Sequence, residues 1–151
     1  LMFIGHAGSD TRDRLLRYAT QTGLQSEILI NNQYHTDSSL RGLYAGASAL
    51  LAPLHNDTRS MARFPSKIAD YLMSARPVVS CDVGEVAEFL KDRQTAFLCR
   101  PDDLTAFSES LKLALQDENR EKVAQNGSLI AQQYFDYRIH GRRLLDFINT
   151  L

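Results

Sequence analysis

The chain has 151 residues, of which 44% are hydrophobic, and this is enough apolar material for one core of ordinary domain size. Its 17 Lys and Arg residues nearly balance its 18 Asp and Glu residues, so the formal net charge is -1. So small a charge excludes a strong field that would draw the protein onto nucleic acid or anionic lipid. Any phosphate binding must therefore depend on local groups.

Short apolar runs alternate with helical patterns along the chain, which predicts parallel strands joined by crossover helices. Strands are predicted at residues 1–4, 27–30, 49–52, 77–80 and 96–98. Helices are predicted at residues 11–22, 38–46 and 65–75, after residue 84, from residue 102, at 118–135 and from residue 137 onward. The predicted fold class is α/β, a Rossmann-like doubly wound parallel sheet of about five strands with C-terminal helices.

Individual residues set several of these boundaries. Gly23 is predicted to end the first helix, Pro53 to end the third strand, and Asp102 to cap the helix that follows it. The helix at 65–75 carries a stripe at i, i+3, i+4 and i+7 that is predicted to be buried: Ile68, Tyr71, Leu72 and Ala75.

The two cysteines, Cys81 and Cys99, stand at the ends of two apolar runs. We expect them to be reduced and buried, because the rest of the sequence is typical of an intracellular protein. No second Cys or His lies at ligand spacing, so we expect no metal site.

In an open parallel sheet the ligand crevice lies beyond the C-terminal ends of the strands. Here those ends carry residues 5–8, 31–35, 53–64, 81–85 and 99–101, and we predict a site in the ring that they make. His35 and His55 are candidates to line it. The Gly5-His6-Ala7-Gly8 turn lacks the third Gly of a dinucleotide fingerprint, which leaves a plain turn or a contact with substrate.

The start of the helix at 65–75 is the most informative segment. Pro65 suits a first helical turn, and Phe64 before it has no side-chain acceptor with which to cap that turn. The N–H groups of Ser66, Lys67 and Ile68 are therefore predicted to be free. A diphosphate would fill the vacant cap, because free N–H donors and the helix dipole both favour an anion.

The face of this helix opposite its buried stripe carries Arg63, Lys67 and Asp70. On this face Asp70 could accept hydrogen bonds from the two hydroxyls of a ribose. The alternative is that Lys67 and Asp70 form a solvated i, i+3 ion pair and that water caps the helix. Spacing alone leaves both interpretations open.

Residues 40–90 resemble the donor-binding domain of the group-1 (family 4) glycosyltransferases, which have the two-domain GT-B fold. The resemblance is carried, in the order of the family, by LRGLYAGASALLAPL, ARFPSKIADYLMSARPVVSCDVGE and TAFLCRPDD. More loosely it extends over residues 1–151, which it implies form a single nucleotide-sugar-binding domain.

The resemblance implies transfer of a sugar from a nucleotide diphosphate sugar with retention of configuration, without a metal or other cofactor. Asp70 matches the acidic residue expected to hold the ribose hydroxyls, and residues 64–67 match the loop and helix start that meet phosphates and sugar. We count eight residues as substrate-binding: Gly5, His6, Arg63, Phe64, Pro65, Ser66, Lys67 and Asp70. The implied acceptor is a glycan or lipid-linked molecule of bacterial polysaccharide synthesis. The implied location is the cytoplasm, and the full-length protein is expected to contact the membrane peripherally.

The sequence departs from the family at several points. The first Glu of the family falls at Ala62, its Gly at Pro65, and its second Glu at the shorter Asp70. The chain lacks a Met at its start, so we expect it to start inside a longer protein. The resemblance implies that it begins after the first strand and helix of the donor domain, which carry an Arg and a Lys that bind the diphosphate. It also lacks the acceptor domain, and we therefore expect it to be inactive alone.

A missing strand has a topological consequence. The family order is 3-2-1-4-5-6, so closure of the gap would give 2-1-3-4-5 in the numbering of this chain. If the gap stays open, the exposed strand edges should recruit another chain.

Two other functions remain open at this stage. One is a non-catalytic, receiver-like interaction module, which needs an acidic pair and an Asp at strand ends where Gly5 and Pro53 stand. The other is a sugar-nucleotide epimerase of the GT-B fold, from which only the RFPSKIADYL pattern distinguishes the chain.

Overall fold

The computed structural model describes residues 1–5 and 8–150. The chain divides into two compact units, Leu1–Leu40 and Arg41–Leu151. The expectation that residues 1–151 form a single domain stays a prediction.

The first unit is a strand-helix-strand unit. Strand β1 (Met2–Ile4) pairs in parallel with β2 (Leu29–Asn31), and helix α1 (Ser9–Gln21) connects them. As predicted, the helix ends at Gly23, whose φ of 69° lies in the left-handed region that glycine favours. The next amide, that of Leu24, donates to the carbonyl of Ala19 at 2.8 Å and closes the helix end.

The second unit contains a three-stranded parallel sheet, which the chain enters through helix α2 (Asp37–Gly46). The strands are β3 (Leu50–Ala52), β4 (Val78–Cys81) and β5 (Phe97–Cys99), in the order β3-β4-β5. Every residue of the central strand β4 is buried. This strand, predicted at residues 77–80, is the centre of the unit, as expected for a parallel strand with helices on both faces.

Six helices complete the second unit: α3 (Thr58–Met61), α4 (Ser66–Met73), α5 (Glu85–Phe89), α6 (Leu104–Gln116), α7 (Arg120–Tyr134) and α8 (Tyr137–Ile148). Successive side chains of a strand point to opposite faces of the sheet. On one face Val78 packs with residues of α4, α5 and α7. On the other face Val79 packs with Ala114 of α6 and Val123 of α7. Helices therefore cover both faces, which confirms the α/β class.

The five strands form two sheets, one in each unit. Within residues 1–5 and 8–150, the sheet of the first unit has the order β1-β2 and that of the second unit the order β3-β4-β5. Closure of the gap to 2-1-3-4-5 stays a prediction. Whether the open edges recruit another chain stays a prediction.

Two local predictions need correction. The sequence predicts a loop at residues 55–63, but these residues contain α3, which begins where the Asp57 carboxylate accepts the Ser60 amide at 2.7 Å. Ala75 is exposed and does not extend the buried stripe of α4. The helix ends at Met73, and Ala75, with a φ of 53°, forms the left-handed residue beyond its end.

Helix α8 is amphipathic, and all of its described large apolar side chains are at least partly exposed. Tyr137, Leu144, Leu145, Phe147 and Ile148 are each more than half exposed. None of the described helices combines the length and the apolarity needed to cross a membrane.

Candidate functional site

The N-terminus of α4 lacks a side-chain cap, as the sequence predicts, but the residue at the cap position is Pro65 and not Phe64. Pro65 has extended backbone angles, and its side chain accepts no hydrogen bond. The helix begins at Ser66, one residue later than predicted. The cap stays vacant because neither Phe64 nor Pro65 has a side-chain acceptor.

Two of the three amides predicted to be free have no partner. The amide of Ile68 donates to the Pro65 carbonyl at 2.9 Å, so it is not free, and this corrects the prediction. The amides of Ser66 and Lys67 have no hydrogen-bond acceptor in the part of the chain that the structure describes, and both residues are exposed. Two N–H donors at the positive end of the helix dipole therefore have no partner among the described residues.

Phe64 is fixed by an aromatic cluster. Its ring stacks on Phe135 with a centroid separation of 4.3 Å, and it meets Phe89 edge-on at 5.6 Å. Both partners come from helices of the second unit, α5 and the end of α7. The side chain just before the unpartnered amides is therefore held by packing.

Gly84 lies against α3, which precedes Phe64 in the chain. This residue caps α5 with a φ of 55°, and a Cβ at this position would lie 2.7 Å from the Met61 Cα and the Ser60 oxygen. Only glycine permits this approach of two backbones. The loop after β4 is therefore in direct backbone contact with α3, the short helix that precedes α4.

Asp70 lies one turn along α4 and is exposed. In the described part of the chain, its carboxylate forms no ion pair with Lys67 and accepts no hydrogen bond. Lys67 and Asp70 therefore do not form the i, i+3 ion pair that was the alternative interpretation of the sequence. Burial, Tyr44 and the Asp70 charge together raise the pKa of Tyr71 to about 12, which places the carboxylate near this tyrosine ring.

The remaining candidates occupy different surroundings. Arg63 and Lys67 are both exposed, on either side of the helix start. Gly5 ends β1 in the first unit, where its φ is 137° and its amide donates to the Asn31 carbonyl at 3.1 Å. His6 lies outside the described residues. The role of Gly5 and His6 in substrate binding stays a prediction.

His35 also lies in the first unit, in the loop after β2. Its Nδ1 lies 3.1 Å from the Ser39 hydroxyl. Its Nε2 is buried and has no hydrogen-bond partner among the described residues.

A pair that sequence reasoning missed joins two strand-end loops of the second unit. His55 Nδ1 donates to Asp102 Oδ1 at 2.6 Å, and the Asn56 amide donates to Asp102 Oδ2 at 2.9 Å. The sequence predicts that Asp102 caps α6, but the helix begins at Leu104 and Asp103 is the cap. No local pattern could reveal the pair, because 47 residues separate its members.

Cys81 and Cys99 are free and buried, as predicted. They are register partners on β4 and β5, and their sulfur atoms lie 4.0 Å apart. The Leu54 amide donates to the Cys81 sulfur at 3.4 Å, so the thiols lie beneath the loop after β3. The described residues contain no group of three or more His, Cys, Asp or Glu residues that could hold a metal ion.

We predict that these thiols are inert in the folded chain. Burial and the neighbouring Cys81 raise the pKa of Cys99 to about 12, so almost none of it is thiolate at pH 8. Ellman's reagent at pH 8 should titrate neither thiol in the native chain and two thiols in denaturant. Rapid reaction of a native thiol would contradict the burial described here.

The family described as "Glycosyl transferases group 1" matches residues 1–117. A search of curated proteins gives no match.

Several solved structures share the fold. HepE from Anabaena, solved in complex with UDP-glucose, matches with a TM-score of 0.82 and 18% identity over 99% of this chain and 40% of that one. Sucrose-phosphate synthase from Thermosynechococcus elongatus matches with a TM-score of 0.80 and 16% identity, over 99% of this chain and 38% of the synthase chain. The C-terminal domain of a group 1 glycosyl transferase from Francisella tularensis matches with a TM-score of 0.69 and 17% identity, covering 84% of this chain and 63% of that one. The chain thus spans about 40% of the length of HepE.

Proposed function

The chain belongs to the group 1 glycosyl transferases, and on that premise we propose that it is the donor-binding half of an enzyme that transfers a sugar from a nucleotide diphosphate sugar. One observation carries the proposal. The amides of Ser66 and Lys67, two exposed residues, have no partner among the described residues, and the same helix carries the exposed Asp70. This set of groups suits a diphosphate joined to a ribose.

The chemistry follows from where negative charge develops. As the bond between sugar and diphosphate breaks, charge accumulates on the departing phosphate oxygens. Two fixed amides and the Lys67 ammonium would stabilise that charge without reorganising, because the helix start is already held by packing at Phe64. We therefore propose a reaction without a bound metal or other cofactor, and with retention of configuration as in the resemblance.

Asp70 would hold the nucleoside end of the donor. A carboxylate has two oxygens, each able to accept one ribose hydroxyl, and that of Asp70 is not committed to a described protein partner. Ala62 offers no carboxylate for a hydroxyl of the donor sugar. We propose that sugar selection at this position rests on the shape of the site and on backbone groups.

HepE binds UDP-glucose and the chain spans about 40% of its length, which supports a second half that supplies the acceptor site. We propose a glycan or lipid-linked acceptor, a role in polysaccharide synthesis, a cytoplasmic location and a peripheral membrane contact for the whole enzyme. These proposals rest on the resemblance described for the sequence.

A titration tests donor binding. UDP-glucose and GDP-mannose are added to the ¹⁵N-labelled 151-residue chain, and amide shifts are followed residue by residue. We expect the largest shifts at Ser66 and Lys67 with at least one of the two nucleotides. Shifts that scatter over α8 and the rest of the surface, or that are absent with both nucleotides, would contradict donor binding at α4.

A further inference from the structure

The segment from Pro53 to Pro65 connects β3 to α4 and is held at four places. Its start is held where the Leu54 amide meets the Cys81 sulfur, its middle where Ser60 and Met61 meet Gly84, and its end by the aromatic contacts of Phe64. The fourth contact is the His55–Asp102 pair. The first three are buried or backbone contacts, and the fourth is polar and exposed.

The geometry of this pair is more constrained than that of an ordinary surface ion pair. Asp102 uses both carboxylate oxygens, one for the His55 ring and one for the Asn56 amide. Its backbone has a φ of 61°, a left-handed conformation that costs free energy in any residue with a side chain. The protein thus holds Asp102 in a strained conformation from which it binds two successive residues of the loop after β3.

We propose that this His55–Asp102 contact, here called the clasp, positions the donor-binding segment, residues 62–67, and thereby raises the affinity for the nucleotide. The proposal rests on the proposed function. His55 and Asp102 are positioning residues in it, since they act through the chain that leads to the Ser66 and Lys67 amides. The clasp joins the loops after β3 and β5, and so it spans the end of the central strand β4.

The charges around His55 suit this role. The ring faces Asp102 from the loop after β5 and Asp57 from its own loop, and both carboxylates favour the protonated imidazole. The hydrogen bond and charge of Asp102 raise the pKa of His55 above its ordinary value. The clasp is therefore strongest at a pH below the ordinary pKa of histidine and weakens as pH rises through the raised one.

The test uses Asp102→Ala and His55→Ala, with Asp117→Ala as the matched control. Asp117 resembles Asp102, because it accepts from Arg93 Nη2 at 2.9 Å and from the Asn119 amide at 2.8 Å. It follows the last residue of α6, whereas Asp102 precedes the first. Two quantities are measured in the ¹⁵N-labelled chain: backbone order parameters of residues 62–67 without ligand, and the dissociation constant of UDP at pH 6 and pH 8.

We expect lower order parameters in residues 62–67 and UDP binding about two- to fivefold weaker at pH 6 in both clasp variants, the range an exposed pair supports. The wild-type chain should also lose more of its affinity between pH 6 and pH 8 than His55→Ala does. Asp117→Ala should match the wild type in both quantities, and Asp102→Asn should recover part of the loss by keeping an acceptor for the Asn56 amide.

Unchanged order parameters, or unchanged UDP affinity, in Asp102→Ala would overturn the proposal. So would an equal effect of Asp117→Ala, which would make the change a general loss of stability. If the wild-type chain binds no nucleotide, the proposed function fails. The order parameters alone then decide whether the clasp positions the segment.

Discussion

Replacing Asp70 with Asn is expected to weaken nucleotide-sugar binding about 10- to 100-fold, because a hydrogen bond to a charged group contributes about 1.5–3 kcal/mol. The fold should be unaffected, since the carboxylate is exposed and has no partner among the described residues. The measurement is protection of the full-length enzyme against thermal unfolding by UDP- or GDP-sugars. Protection in the wild type should be lost in the variant at the same nucleotide concentration.

Asp146→Asn is the control for this experiment. Asp146 is exposed on α8 and forms no ion pair within the described chain, so its replacement changes the net charge by the same amount far along the sequence. We expect protection equal to that of the wild type. Equal protection in Asp70→Asn would contradict a ribose contact at Asp70.

Replacing Gly127 with Ala is expected to destabilise the chain by about 2–3 kcal/mol, although the same change in an ordinary helix interior stabilises. Gly127 is buried in α7, where an added Cβ would lie 2.3 Å from the Thr95 oxygen and 2.8 Å from Leu72 Cδ2. The Thr95 oxygen is backbone and cannot rotate away. Thermal unfolding should show a midpoint about 5–10 °C lower, given the usual scaling for a chain of this size.

The effect of Gly127→Ala should reach the candidate site. Leu72 belongs to α4, and this helix packs on α7 through its buried side chains. A displaced Leu72 would move the helix whose first turn is proposed to bind the diphosphate. We therefore expect nucleotide protection to fall together with stability in this variant.

Gly141→Ala separates steric overlap from helix propensity. Gly141 lies in α8 with no atom within 4 Å of its added Cβ. We expect a gain of about 0.5–1 kcal/mol from the better helix former. Loss of stability in this variant similar to that in Gly127→Ala would show that overlap at Thr95 is not the cause.

Local patterns predicted most of the elements, because each depends on residues close in sequence. The alternation of apolar strands and amphipathic helices is set by side-chain periodicity, and Gly23 ends its helix by its own backbone freedom. The vacant cap of α4 was also predictable. Phe64 and Pro65 both lack an acceptor, so the prediction survives the shift of the helix start by one residue. The short helix α3 was missed, although Asp57 signalled its start.

Contacts between distant residues were decided only by the tertiary structure. Asp103 caps α6, which leaves the Asp102 carboxylate available for the clasp. The close approaches at Gly84 and Gly127 arise where backbones of separate elements meet. The pairing of Cys81 with Cys99 follows from the register of β4 and β5. The sequence by itself determined the local conformations, because these depend on neighbouring residues. The contacts between residues far apart in the chain arose from tertiary packing, which no short pattern encodes.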